Sequence, residues 1–309
     1  MAFHLFGNIL TCHGTAANNR GENEGNITTL QKILWKGEVH STVSAEAIRW
    51  ALRYYWQTAC DEHQVNRQWD DNLNDNTWQN QAFDDAMYID DDVLGFMRAE
   101  GAKIEASDDT IETDEPKPKG KKAKPKGTTT AKRGVLEVTR AVSTTPYVGD
   151  ITFNAASGKK GSTSLYGTEV HATRYQYGFA LTPNRLKDKA RIVPVLDGLS
   201  SLGEVAGNHA RFLYDFAPDN IILRWTHDFS PRFLYCFNEE SDGEITVSDL
   251  IRRVESQDID PKELWVAGSI FHTLDGKQLK QLGVNVSPGI KTTVTALKQK
   301  ISQDLELGI

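Results

Sequence analysis

The 309-residue chain is poor in the features that most quickly assign a function. It holds three cysteines, Cys12, Cys60 and Cys236. They are too few and too far apart for a disulfide framework or a zinc ribbon, and inert thiols in a reducing compartment fit them better. No apolar run reaches transmembrane length, and "MAFHLFGN" lacks a charged n-region ahead of an apolar stretch. A soluble, cytoplasmic protein without membrane contact is the expectation. There is no P-loop, no dinucleotide fingerprint and no G-x-S-x-G elbow. Cys12 and His13 are adjacent, so in a strand they point to opposite faces, which argues against a thiolate–imidazole pair. "IDDDV" (89–93) lacks the spacing of a calcium loop and reads as a solvated acidic turn. No catalytic residue, metal or cofactor is therefore expected.

What is present is unevenly distributed. Hydrophobic residues make up 39% of the chain, enough for a core. The net charge of −7 hides a division: residues 61–115 carry seventeen Asp/Glu against three Lys/Arg, so this stretch is −14 and the remainder +7. Net charge therefore does not exclude a nucleic-acid partner. Within 112–134, six lysines fall in residues 117–126 among Pro, Gly and Thr, a composition that cannot build a core and reads as flexible. It either solubilises the protein or attracts a nucleic-acid backbone.

Periodicity supplies the elements. "AFHLFGNILT" alternates as a strand with Phe3, Leu5 and Ile9 on one face. Residues 14–32, "GTAANNRGENEGNITTLQK", are polar and read as a long loop. Ser44 stands as N-cap of a helix whose stripe is Ile48, Ala51, Leu52, Tyr55 and Ala59. Residues 61–92, with Trp69, Trp78 and Phe83, read as irregular or short helical structure. "VLEVTRAVSTTPY", "HATRYQYGFALT", "HARFLYDF", "NIILRWT", "RFLYCF" and "ELWVAGSIF" read as strands. Pro194 opens one helix, and "TVSDLIRRVE" and "IKTTVTALKQKISQDL" are two more. "ASGKKGSTS" between short apolar arms predicts a projecting hairpin over 147–172. The order predicts an α+β fold, ferredoxin-like or RRM-like.

In sequence order, "NRGENE", "VSAEAIRWALR", "DDVLGFM", "VTRAVSTTPYVGDITFN", "RYQYGFAL" and "GNHARFLYDFAP" resemble the backbone subunit of type I CRISPR Cascade complexes, of the DevR kind associated with subtype I-B. The resemblance covers most of residues 3–226 and leaves the C-terminal eighty unplaced. It implies one domain over 1–309: an RRM-like palm with helical fingers and a β-hairpin thumb. The insertions would be a guide-contacting loop (12–43), an acidic fingers region with the Lys-rich loop (60–134) and the thumb (147–172). It also implies a non-catalytic subunit that polymerises head to tail along CRISPR RNA. Such a subunit presents guide bases to target DNA beside other Cascade subunits. Two alternatives stay open: a type III-like subunit that cleaves target RNA, and an RRM-like scaffold that binds none.

A guide-holding protein grips sugar and phosphate and leaves base edges free. The residues that suit this are His13, Asn19 and Arg20 after the first strand, Ser44, Arg49 and Arg53 on the helix, and Asn208 with His209. Arg20 could instead pair with Glu22 or Glu24, the two helix arginines could lie on an exposed face, and a lone His is often structural. At the thumb, Phe153, Leu165 and Tyr166 could wedge between bases or pack against a neighbour, with Lys159 and Lys160 attracting phosphate.

Overall fold

The computed structural model describes residues 1–17, 20–59, 64–99, 129–156, 164–206 and 212–308. Its centre is the strand His4–Thr11, in which all eight residues are buried. It runs antiparallel to Tyr175–Leu181 on one side and Pro218–Thr226 on the other. Gly7 makes this pairing possible, because a Cβ there would lie 2.2 Å from the Phe179 ring. A nine-stranded sheet grows from this centre. Beyond Pro218–Thr226 come Leu264–Gly268 and Asn285–Ser287. Beyond Tyr175–Leu181 come Ala141–Ser143, Glu38–Val43 and Lys32–Trp35, and Glu137–Val138 also pairs with Tyr175–Leu181.

Strand alternation sends side chains to two cores. Leu5 and Ile9 enter one with Val43, Tyr177 and Phe179, while Phe6 and Leu10 enter the other with Ile222, Phe233 and Phe237. The first face is covered by α1 (Ala45–Ala59), α3 (Ile192–Leu199) and α6 (Ile290–Asp304). Helix α6 inserts Val294, Leu297 and Ile301, the spacing of one helical stripe. The second face is covered by α4 (Ser248–Glu255), α5 (Leu274–Gln281) and the chain around Phe233–Phe237. The C-terminal eighty residues thus close the second face and, through α6, part of the first. Among the described residues, no helix is long and apolar enough to cross a membrane.

Several sequence expectations change here. Residues 14–32 are no loop: Gly14–Ala16, Arg20–Glu24 and Ile27–Leu30 are strands, their polar side chains set on a solvated sheet. The described part of 60–134 is mostly hairpin. Arg67–Asp70 pairs with Asp75–Trp78, and Gly95–Ala99 with Thr129–Arg133, while its helix, α2 (Ile89–Val93), has five residues. Gly95 links α2 to the second hairpin at φ +70°, where a Cβ would meet the Lys132 carbonyl at 2.3 Å. "RFLYCF" forms no strand, because Arg232 and Tyr235 both adopt positive φ. In "HARFLYDF" the described residues form no strand beyond a single bridge at Phe212, though Tyr214 and Phe216 are buried.

The largest correction concerns "IDDDV". Asp90, Asp91 and Asp92 are buried, not solvated. Asp90 accepts from the backbone N–H groups of Asn66 and Arg67 at 2.7 and 3.1 Å and from Arg53 Nε at 3.1 Å. Asp91 accepts from Asn66 Nδ2 at 2.8 Å and the Asp84 N–H at 2.9 Å. Asp92 accepts from Lys132 Nζ and Arg191 Nη1, each at 2.7 Å, and from the Lys187 N–H at 3.1 Å. Buried carboxylates persist when donors surround them, and here they tie both hairpins to α1 and to the turn before α3.

Candidate nucleic-acid interface

A second sheet stands apart from the nine-stranded one. Asp150–Ala156 and Ser164–Thr173 form an antiparallel hairpin, from Asp150↔Val170 at the base to Ala156↔Ser164 at the far end. Ile27–Leu30 adds in parallel at Gly167↔Ile27 and carries Arg20–Glu24 beyond it. Gly14–Ala16 pairs at the base, with His171 opposite Ala16. Three strands of the segment read as a guide-contacting loop, Gly14–Ala16, Arg20–Glu24 and Ile27–Leu30, therefore form one five-stranded arm with the segment read as a thumb. Glu169 locks them together, accepting from the Leu30 N–H at 2.7 Å and Lys32 Nζ at 2.5 Å. Burial pushes its carboxyl up, but the Lys32 and Leu30 donors outweigh that and hold it below the usual range.

The hairpin register divides the expected wedge. Phe153 lies opposite Gly167 and Leu165 opposite Ala155, so Phe153 and Leu165 share a face. They are 73% and 60% exposed. Tyr166, opposite Asn154, lies on the other face and is half-buried. Residues adjacent in a strand cannot act on one side, so an apolar pair, not a triad, faces outward. Lys159 and Lys160 lie outside the described residues.

The arm root is a buried polar network. Only Arg174 separates Ser164–Thr173 from Tyr175–Leu181 of the nine-stranded sheet. Ser41 Oγ lies 2.7 Å from His171 Nδ1 and 2.8 Å from the Tyr175 hydroxyl. The Tyr214 hydroxyl lies 2.7 Å from Thr11 Oγ1 and donates to the Thr173 carbonyl at 3.1 Å. Burial, with His40 and His13 nearby, brings the His171 pKa down to about 4 despite a hydrogen bond with the Pro146 backbone. His171 is therefore neutral near pH 7. The network joins four separate segments, and its polar residues sit in stretches whose pattern reads only as strand. Adjacent to it, Arg140 donates from Nη1 to Gln31 Oε1 and Thr42 Oγ1, each at 3.1 Å. Both partners are neutral, and this guanidinium stands at the foot of the arm, a candidate that sequence reasoning passed over.

The sequence-selected residues distribute as follows. His13 is exposed between the central strand and the arm. The Arg20 backbone starts an arm strand opposite Leu30, and its side chain is outside the described residues, as are Asn19, Asn208 and His209. Ser44 caps α1, accepting from the Ala47 N–H at 3.1 Å. Arg49 and Arg53 turn inward. Arg49 Nη2 donates to the Leu94 carbonyl, and Arg53 pairs with buried Asp90. Both lie on the flank of α1 that faces α2, so the buried acidic segment takes them rather than solvent. On the helix stripe itself, Trp56 is fully buried where Ala59 was expected, and its Nε1 donates to the Pro194 carbonyl at 3.0 Å.

No family model matches the chain. Over 318 aligned residues it is 45% identical to "CRISPR-associated protein Cas7/Cst2/DevR" of Myxococcus xanthus (strain DK1622), covering 97% of this chain and 98% of that protein. The chain belongs to the Cas7/Cst2/DevR family of CRISPR-associated proteins. Its fold is also similar to that of chains in solved structures. One belongs to a "CRISPR RNA-guided surveillance complex, pre-nicking", with a TM-score of 0.57, 12% identity, and 96% and 100% of the two chains covered. Another, from a "CRISPR RNA-guided surveillance complex", has a TM-score of 0.54 at 14% identity over 96% and 99%. At such identities the likeness concerns the fold alone. Within this Cas7/Cst2/DevR chain, the arm carries the Arg20 backbone, and exposed His13 directly precedes the arm's first strand.

Proposed function

We propose that the protein is a non-catalytic backbone subunit that binds CRISPR RNA along the spacer. Copies repeat head to tail in a Cascade-type complex and present the guide bases to target DNA. The carrying observation is the single arm that unites the Arg20 strand with the exposed Phe153–Leu165 face, in a chain 45% identical to a protein named Cas7/Cst2/DevR. The palm reading has its own support. Taken in chain order, the four strands His4–Thr11, Ala141–Ser143, Tyr175–Leu181 and Pro218–Thr226 lie in the order fourth, first, third, second, with α1 and α3 in the two crossovers. That is a ferredoxin-like arrangement. In this reading the arm is the thumb, the hairpins of 60–134 are the fingers, and His13, Asn19, Arg20, Ser44, Asn208 and His209 contact sugar and phosphate. Arg49 and Arg53 brace the fingers instead. A target-cleaving role finds no support in the arm's Glu169, which Lys32 and the Leu30 N–H already occupy.

Full-length protein incubated with guide RNAs of one length and unrelated spacer sequences tests the proposal. Equal affinities, within about threefold, are expected because backbone contacts carry no base information. Affinity for one spacer only, or none for any, would overturn it. Incubation with complementary target RNA and divalent metal should leave the target intact on a denaturing gel. Cleavage lost on substituting an arm carboxylate would replace this reading with the catalytic one.

A further inference from the structure

Away from the arm, α1 carries a cleft that the guide-binding reading does not use. Trp50 stacks on Tyr54 with centroids 5.3 Å apart and planes 8° from parallel. Trp69 meets Trp50 edge-on at 5.9 Å and 81°. With Ala47, Glu204 and Ala206 these rings line a cavity of about 470 Å³. One carboxylate lines it, and two more lie close to its lining residues in the chain. Glu204 is one wall, exposed and without a cationic partner among the described residues. Asp71 Oδ1 accepts from Trp69 Nε1 at 2.9 Å. Glu46 lies one helical turn before Trp50. The cations nearest along the chain are engaged elsewhere: Arg49 on the Leu94 carbonyl, Arg53 on Asp90, and Arg67 over the Trp78 ring.

Three aromatic rings beside a carboxylate suit a cation, whose charge the ring quadrupoles and the carboxylate attract together. We propose that this cleft holds a lysine ammonium from a second copy of this chain. The proposal rests on the reading that copies repeat along a guide. The occupant follows from charge. The cleft borders the stretch that carries −14, while the rest of each chain is +7, its lysines concentrated at 117–126 and at Lys159–Lys160. One copy therefore offers the charge that the next lacks. A nucleic acid is a poor occupant, since a phosphate there would face Glu204.

Zero-length carbodiimide cross-linking tests this on full-length protein, mixed from ¹⁵N-labelled and unlabelled pools, alone and bound to guide RNA. The expected result is a mixed-isotope cross-link from Glu204 or Asp71 to a lysine, reduced at least tenfold by Trp69→Leu. Glu204→Gln should divert it to Asp71. Circular dichroism of Trp69→Leu checks that the hairpin folds. A Glu204 or Asp71 cross-link confined to one isotope would place the chain's own lysine in the cleft and overturn the proposal. Mixed cross-links found only at other carboxylates would also overturn it, while leaving repetition along the guide intact. The absence of any mixed cross-link in the RNA-bound sample would remove both the cleft and the repeating subunit.

Discussion

Asp92 is the residue that ties the Gly95–Ala99 and Thr129–Arg133 hairpin to the turn before α3. Fully buried, it takes Lys132 from one segment and Arg191 with the Lys187 N–H from another. Removing one partner of a buried pair costs about 3–5 kcal/mol, because the other charges stay behind. Asp92→Ala should therefore lower stability by that order in urea unfolding. Asp249→Ala, whose pair with Arg252 is mostly exposed, should change it by less than about 0.5 kcal/mol. Acid acts through the same group. Burial pushes the Asp92 carboxyl up, but donors from Lys132, Lys187 and Arg191 outweigh that and leave it below its ordinary value. Its stabilisation is complete above the unfolded value near 3.9 and disappears as pH falls through the lower folded one. His171 acts at higher pH. With a folded value of about 4 against about 6.5 unfolded, it stabilises above pH 6.5 and loses that contribution as pH falls toward 4. Melting temperatures measured from pH 7 to 4.5 should fall less in His171→Gln than in the parent. Parallel curves would show that His171 does not titrate on unfolding.

At the scale of elements, the arm separates two kinds of apolar residue. Phe153 and Leu165 share an exposed face, so Phe153→Ala with Leu165→Ala should leave the melting temperature within about 2 °C. If they wedge between guide bases, the double variant loses stacking worth roughly 1–3 kcal/mol per base. Chemical probing of bound guide RNA should then lose its periodic protection. Tyr166→Ala, on the other face, should leave that periodicity in place. Unchanged probing in the double variant would place the wedge elsewhere. The hairpin of Gly95–Ala99 and Thr129–Arg133 makes a second case. Ala99 pairs with Thr129, so residues 100–128 leave and return at adjacent strand ends. Deleting residues 116–127 should leave folding and guide binding intact, measured by circular dichroism and gel shift. A loss of folding would make the lysine-rich segment structural.

For the whole molecule, charge division and sheet architecture set the behaviour. The central sheet buries both faces, so its faces offer no open platform, and contacts with nucleic acid are left to the arm, its root and the loops. Guide binding should weaken steeply with salt, because phosphate contacts release counterions, and the slope should be the same for unrelated spacers. A salt-independent affinity would argue for base readout or an apolar contact instead.

The sequence by itself determined the secondary elements with strong periods, and through ordered motifs it pointed to the family. The first strand, the Ser44-capped helix, "NIILRWT", "TVSDLIRRVE" and the last helix each carry their own pattern, and local pattern needs no partner. Only the tertiary structure decided that Arg20 and the hairpin belong to one arm, since a parallel pairing of Gly167 with Ile27 leaves no local mark. It also decided that "DDD" is buried, because a carboxylate's solvation depends on donors from Arg53, Asn66, Lys132 and Arg191, which lie far apart in the chain. For the same reason Arg49 and Arg53 read as surface cations in sequence and are internal in space. Burial is a property of all the segments that converge on a residue, and its own neighbours in the chain do not encode it.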